Sequence, residues 1–300
     1  MEQYKMKRVY ILTALFLSAC LQEIPAGWTP QPTAEVLSTE VVTATPQIVP
    51  TPILPSPTPY LEYPPASTLP AGPITMIAIG DSLTQGDGDE TGRGYPARVL
   101  DMVNTIRPNS SITNFGQSGW NSDALINGDQ GVLGQLERTI AEVQIANEQG
   151  RGSVVFMWIG SNDLWYLYEY GGDVTDDAEA LDIQHFSTNL DVILTSLRGS
   201  GAQVIIALLD DQSRRPVALQ GEAFTSITVD ELNRMSVHVQ RYNEVITKKA
   251  DQYGALIVDF YSIDIFTNPA TLYDDGNHPN QAGYDLIAQK WYEALSLILE

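Results

Sequence analysis

Five short apolar runs, each bounded by Gly or Asp and separated by longer amphipathic stretches, constrain this chain more than any other feature. They are Ile74 to Ile79, Ser111 to Phe115, Val154 to Ile159, Val204 to Leu209 and Ala255 to Phe260. Runs this short and this apolar read as buried strands. The stretches between them have helical spacing. Leu232, Met235, Val239, Tyr242, Ile246 and Tyr253 make one apolar stripe, and Tyr284, Ile287, Ala288, Trp291, Leu295 and Ile298 make another. Repeated β-α units predict a parallel sheet with helices on both faces. Reactive groups in such sheets gather beyond the carboxyl ends of the strands. The first three strands are each followed by a polar, Gly-rich corner: Gly80-Asp81-Ser82-Leu83, Gly116-Gln117-Ser118-Gly119 and Gly160-Ser161-Asn162-Asp163.

The sequence upstream of this region is of another kind. Lys5, Lys7 and Arg8 precede the apolar run Val9 to Ala19, which is too short for a spanning helix of about 17 to 25 residues and fits a signal peptide over 1–19. Its end, Leu17-Ser18-Ala19-Cys20, resembles a bacterial lipobox, in which cleavage precedes a cysteine that then carries diacylglycerol; the alternative is an ordinary signal peptide that happens to contain a Cys. Cys20 is the one cysteine of the chain, so it is available for lipidation and no intramolecular disulfide or Cys-based zinc site exists. Twelve of the eighteen prolines fall between Leu21 and Gly72, with the repeats Thr45-Pro46, Thr51-Pro52 and Thr58-Pro59. That composition predicts an extended, non-globular linker over 20–72 and a folded domain over 73–300. The expected location is the outer face of a bacterial membrane, held by the lipid anchor.

A formal charge of −21 argues against nucleic acid and anionic lipid surfaces as partners. With three histidines, His185, His238 and His278, a His-rich metal centre is not expected, nor is a cofactor. Asp87, Asp89 and Glu90 form an acidic stretch that does not complete an EF-hand and reads as a solvated loop.

Ser82 follows a strand and a Gly-Asp corner, a place for a nucleophile, a helix N-cap or a phosphate-binding hydroxyl. Neither Gly-x-Ser-x-Gly nor a Gly-x-x-x-x-Gly-Lys loop is present. Near the end, Asp275 and His278 stand three apart before the last helical stretch, with Pro279 suited to that helix's first turn. This spacing suits a carboxylate that orients a general-base imidazole, and equally a helix cap beside a surface histidine.

With these segments together, the sequence resembles the SGNH, or GDSL, family of serine hydrolases. Its blocks stand in order as Gly80-Asp81-Ser82-Leu83, Asn114-Phe115-Gly116-Gln117-Ser118-Gly119, Gly160-Ser161-Asn162-Asp163 and Asp275-Gly276-Asn277-His278. The resemblance implies a flavodoxin-like three-layer α/β/α fold around a five-stranded parallel sheet, with no metal requirement. It implies Ser82 as nucleophile, His278 as base and acid, and Asp275 as its orienter. It further implies an oxyanion hole from the backbone N–H groups of Ser82 and Gly119 and the side-chain amide of Asn162.

Ser118 is the rival nucleophile, and Asp81 and Asp163 read as structural caps. Trp165, Tyr166, Tyr168 and Tyr170, with Trp120, read either as a substrate wall or as core. No role is expected for His185 or His238. A base that must be neutral implies activity that falls as pH drops through the ordinary histidine range. The expected activity is hydrolysis of carboxylic esters: small acyl esters, lipids or acetylated extracellular glycans. The alternative is a catalytically silent glycan-binding module.

Overall fold

The computed structural model describes residues 63–220 and 227–299. The proposed leader, Cys20 and most of the Pro/Thr-rich segment lie outside the described residues.

Five strands, β1 (Ile74–Gly80), β2 (Ser111–Asn114), β3 (Gly152–Trp158), β4 (Gln203–Leu208) and β5 (Leu256–Asp259), form one all-parallel sheet in the order β2-β1-β3-β4-β5. β1 and β3 lie inside the sheet with both faces covered, so every residue of each is buried. β2 and β5 are its edges. Neither is the fully buried strand its composition suggests: Ser111 and Asn114 are exposed, as is Asp259, because an edge strand is flanked by a neighbour on one side only.

Between the strands run α1 (Ser82–Gln85), α2 (Gly94–Ile106), α3 (Ser122–Asn127), α4 (Gln135–Glu148), α5 (Ser161–Tyr170), α6 (Asp176–Gly199), α7 (Pro216–Gln220), α8 (Val229–Tyr253) and α9 (Gln281–Ser296). α2 packs on α9, while α6 packs against both α4 and α8, and all three pack on the strands. On the α2/α9 side the core is aromatic: Trp291 meets Tyr95 and Phe156 at ring separations of 5.3 Å, and Trp158 stacks on Phe260 at 4.3 Å. Such pairs add about 0.5 to 1.5 kcal/mol each beyond area burial. The apolar stripe on α8 is realised as read: Met235, Val239, Tyr242 and Ile246 are fully buried. Thr228 and Glu231 close a reciprocal capping box at its start. α9 starts later than Pro279 suggests. Asn280 is its N-cap, accepting from the Gly283 N–H at 3.0 Å, and Pro279 precedes the cap in a bridge to Leu272.

The linker reading fails for 63–72. These residues form a strap across the amino-terminal ends of the strands. Tyr63 stacks on Tyr253, Arg198 donates to the Pro64 carbonyl at 2.9 Å, Leu69 donates its N–H to Ile298 at 2.8 Å, and Arg107 donates to the Pro70 carbonyl at 2.6 Å. Leu69 is buried in the core. Proline content misled here because an extended segment can lie on a surface as well as hang free.

Candidate active site

The order of the sheet creates the site. Chain direction across the sheet reverses between β1 and β3, and the loops leaving their carboxyl ends diverge there and leave a crevice. Gly80 ends β1 in a conformation only Gly takes easily (φ +150°), and a Cβ there would sit 2.1 Å from the Trp158 carbonyl oxygen. The buried amide of Gln135 holds this residue at both ends, accepting the Gly80 N–H at 2.7 Å and donating to its carbonyl at 2.8 Å. Asp81 then caps α1, taking the Leu83 N–H at 3.0 Å. The cap is thus Asp81, and Ser82 occupies the first position of the helix.

The loop after β2 is tied to this helix. Asn114 donates to the Thr84 carbonyl at 2.8 Å and accepts from Gly116 N–H at 2.9 Å, and Gln85 accepts the Ser118 N–H at 2.7 Å. Gly119 follows with φ +77°, and Tyr166 donates its hydroxyl hydrogen to the Gly119 carbonyl at 2.7 Å. From the start of α5, Asn162 donates one amide N–H to the Trp120 carbonyl at 2.9 Å, leaving the other for the cleft it lines. Asp163 accepts the Ser122 N–H at 2.9 Å and is bonded by the Ser122 hydroxyl, which joins the second loop to the third.

The last loop crosses to meet them. Asp275 accepts the backbone N–H groups of Asn277 at 2.8 Å and His278 at 2.9 Å with one oxygen, and faces His278 Nδ1 at 2.7 Å with the other. His278 Nε2 stands 3.0 Å from Ser82 Oγ. Ser82, His278 and Asp275 therefore form one hydrogen-bonded line from two remote stretches of sequence. Ser118 lines the same cleft but is not bonded by the imidazole. Among the described residues, neither the Ser82 N–H nor the Gly119 N–H donates to a backbone oxygen.

The electrostatics follow from burial. Asp81 is fully buried with one oxygen unpartnered, and burial pushes its carboxyl up to about 7; the Leu83 N–H and the Arg215 charge oppose this. Burial likewise pushes Asp163 up to about 6, against its bonds from Ser122. Burial acts to raise Asp275 too, but the N–H groups and imidazole of His278, with the Asn277 N–H, outweigh it and hold this carboxyl below its ordinary value. A low carboxyl beside Nδ1 keeps its charge and fixes the tautomer in which Nε2 is free to accept.

The cleft has a volume of about 270 Å³. Trp165, Tyr166 and Tyr170 line it; Trp120 and Tyr168 do not. Tyr168 faces inward with its hydroxyl on Glu179 at 2.8 Å, since residues three apart on α5 share a face with Trp165 but not its depth. Trp120 is buried, and its contribution is the carbonyl that receives Asn162. His185 pairs with Asp123, and buried His238 faces Asp182.

The acidic stretch is not solvated throughout. Asp89 is buried and ion-paired to Arg98 at 2.6 Å. Burial works to raise its carboxyl, but Arg98, Thr91 and the Gly94 N–H hold it well below the usual range. Among the described residues no group of His, Cys, Asp or Glu is arranged to hold a metal.

Sequence reasoning missed three supports: Gln135, Gln85 and the Asp210–Arg215 pair. Arg215 is buried, bonded to Asp210 at 2.6 and 2.9 Å, and donates to Asn277 Oδ1 at 2.8 Å. The run Asp210-Asp211 followed closely by Arg214-Arg215 was the available signal for that pair.

Comparison with known proteins agrees with this architecture. The family described as GDSL-like lipase/acylhydrolase matches residues 78–286. The uncharacterized protein YpmR of Bacillus subtilis is 25% identical over 231 residues, 74% of this chain and 81% of that one. A multidomain esterase of Ruminococcus flavefaciens is 24% identical over 250 residues, which cover 75% of this chain and 29% of the esterase. Among solved structures, a psychrotrophic esterase from Pseudoalteromonas sp. shares the fold at a TM-score of 0.50 and 16% identity, over 74% of this chain and 97% of that one. An acetyl xylan esterase from Geobacillus stearothermophilus does so at 0.51 and 19%, over 76% and 97%. With the family matched across most of the folded region, the chain belongs to the GDSL-like lipase/acylhydrolases and is a hydrolase of ester bonds.

Proposed function

We propose that this hydrolase is a serine esterase that removes short acyl groups, acetyl above all, from polar alcohols through an acyl-enzyme on Ser82. The observation that carries the reading is the unbroken line Asp275–His278–Ser82, with spacings of 2.7 and 3.0 Å, opening into a cleft. His278 Nε2 takes the Ser82 proton as Oγ attacks the ester carbon, then gives it to the departing alcohol oxygen. Water repeats the sequence to free the acid. Asp275 holds the imidazole in its tautomer and stabilises the imidazolium. The Ser82 and Gly119 N–H groups and the Asn162 amide receive the oxyanion, a contribution of about 3 kcal/mol per donor.

A short acyl group is favoured by the cleft's size, below the roughly 300 to 1,000 Å³ of pockets for drug-sized ligands. Its lining by Ser118, Asn162, Gln212 and Asn277 suits a polar alcohol better than an acyl chain. The name of one structural neighbour, an acetyl xylan esterase, points the same way, toward acetyl groups on a polysaccharide.

Hydrolysis of p-nitrophenyl esters from acetate to decanoate, beside Ser82→Ala and with fluorophosphonate labelling, tests this. Acetate is preferred and the variant is inactive and unlabelled; a wild type inert toward every ester and the probe would instead favour the silent glycan-binding module. The location belongs to the same proposal: export and anchoring through acylated Cys20, so that Cys20→Ser releases the protein from membranes. Unchanged retention would refute the anchor.

A further inference from the structure

Asn277, between the two reacting members of the last loop, lines the cleft. Arg215 Nη1 donates to its Oδ1 at 2.8 Å. A guanidinium has donors only, so this bond decides which end of the amide faces which way: oxygen toward Arg215, nitrogen toward the reacting centre. Asn277 Nδ2 accordingly lies 3.4 Å from His278 Nε2, the atom that also faces Ser82 Oγ at 3.0 Å. The neutral imidazole has one lone pair at Nε2, and the shorter contact with Ser82 uses it. The Asn277 N–H is left as a donor without a strong acceptor, beside the atom that hands its proton to the alcohol.

Arg215 is fixed for this task. It is buried, its charge is met by two bonds to Asp210, and its plane lies 4.4 Å over the Phe266 ring. The neighbouring Val217 N–H donates to the Gly276 carbonyl at 3.1 Å, so the segment after β4 docks on the loop it orients.

On the serine-esterase reading above, we infer that Asn277 donates a hydrogen bond to the leaving alcohol oxygen during acylation, and that Arg215 is its positioning residue. In that step the bond from the acyl carbon to the alcohol oxygen breaks, and Nε2 delivers its proton to that oxygen. Asn277 transfers nothing; its N–H stabilises the charge that builds before the proton arrives. The benefit is therefore large for alkoxide leaving groups such as sugar hydroxyls and small for p-nitrophenolate, which departs without protonation.

The test is the leaving-group dependence of kcat/KM for acetate esters of p-nitrophenol, trifluoroethanol and ethanol. Asn277→Leu is expected to lose about a hundredfold on ethyl acetate and less than about threefold on p-nitrophenyl acetate. Asn277→Asp keeps an acceptor for Arg215 without the N–H, and on its own pH plateau should steepen the dependence likewise. Arg215→Lys, which retains a cation beside Asp210 but lacks the second arm, should reproduce the steepening. Equal losses on all three esters, or none, would overturn the inference while leaving the esterase reading intact. A wild type inactive on every ester, or an active Ser82→Ala, would overturn the reading and the inference with it.

Discussion

Asp81 adjoins the nucleophile yet is buried as a carboxyl with one oxygen unpartnered, and replacing it with Asn should stabilise the protein at alkaline pH. Asn keeps the oxygen that accepts the Leu83 N–H and is among the preferred N-cap residues, so the cap survives. What is removed is the cost of ionising a buried acid. Burial, opposed by Leu83 and Arg215, raises this carboxyl from 3.8 to about 7. A raised value means that the folded state binds the proton more tightly than the unfolded state. The stabilisation is complete below the unfolded value and is lost as pH climbs to about 7. Each unit is worth about 1.4 kcal/mol, so between pH 5 and pH 8 the wild type should lose about 3 kcal/mol that Asp81→Asn does not. Thermal unfolding of both proteins at the two pH values measures this as a double difference, expected at about 6 to 12 °C for a domain of this size. A starting point of pH 5 keeps the protein above its isoelectric point of about 4.3, where precipitation would interfere. A double difference of zero would refute the claim that Asp81 ionises at a cost, and with it the reading of that unpartnered oxygen.

Asp89 is the opposite case: its carboxyl is held low and paired, so Asp89→Asn should destabilise at pH 7 by about 1 to 3 kcal/mol, because Arg98 loses its buried carboxylate and keeps only exposed Asp285 at 2.6 Å, seen as a lower urea midpoint. Its contribution is present above the unfolded carboxylate value and lost as pH falls through the lower folded one. Gly119→Ala puts a side chain at φ +77°, 3.3 Å from the Tyr166 hydroxyl, and should lower kcat for acetate esters about tenfold to a hundredfold with KM little changed. An unaltered kcat would remove Gly119 from the oxyanion site. Gln135→Leu leaves the buried Gly80 N–H without a partner and its carbonyl with only the Gln117 N–H at 3.1 Å, and should cost about 1 to 3 kcal/mol in chemical unfolding.

The parts of the molecule legible in the sequence were those written in local pattern. Gly80-Asp81-Ser82 and Asp275 to His278 carry their chemistry within a few residues, and the five strands announce themselves by apolar composition. What was not legible depends on distance. β2 and β3 both sit where the β-α alternation calls for a strand, and the order of the sheet makes Ser111–Asn114 an exposed edge and Gly152–Trp158 a buried centre. Gln135 reads as an ordinary first residue of a helix, because the peptide group it holds is 55 residues away. Asp89 and Arg98 sit one helical turn and a loop apart in a charged stretch that composition describes as solvated. The aromatic run of α5 was ambiguous for another reason: helical spacing separates faces, but not which face turns to the cleft, and Tyr166 and Trp165 reach it while Tyr168 turns to Glu179.

The strap of residues 63–72 has a practical consequence for handling the enzyme. It comes in under the sheet, and Ser82 stands above it at the far end of β1, a strand of seven residues or about 23 Å of extended chain. A linkage made through the chain upstream of Tyr63 thus enters the domain at its base, at the end of β1 opposite Ser82. The same geometry sets where a shortened version should begin. A start at Pro73 would discard Leu69 and the carbonyls that Arg107 and Arg198 hold, leaving two cationic side chains and an apolar hollow open at the base, whereas a start before Tyr63 keeps that seal whole.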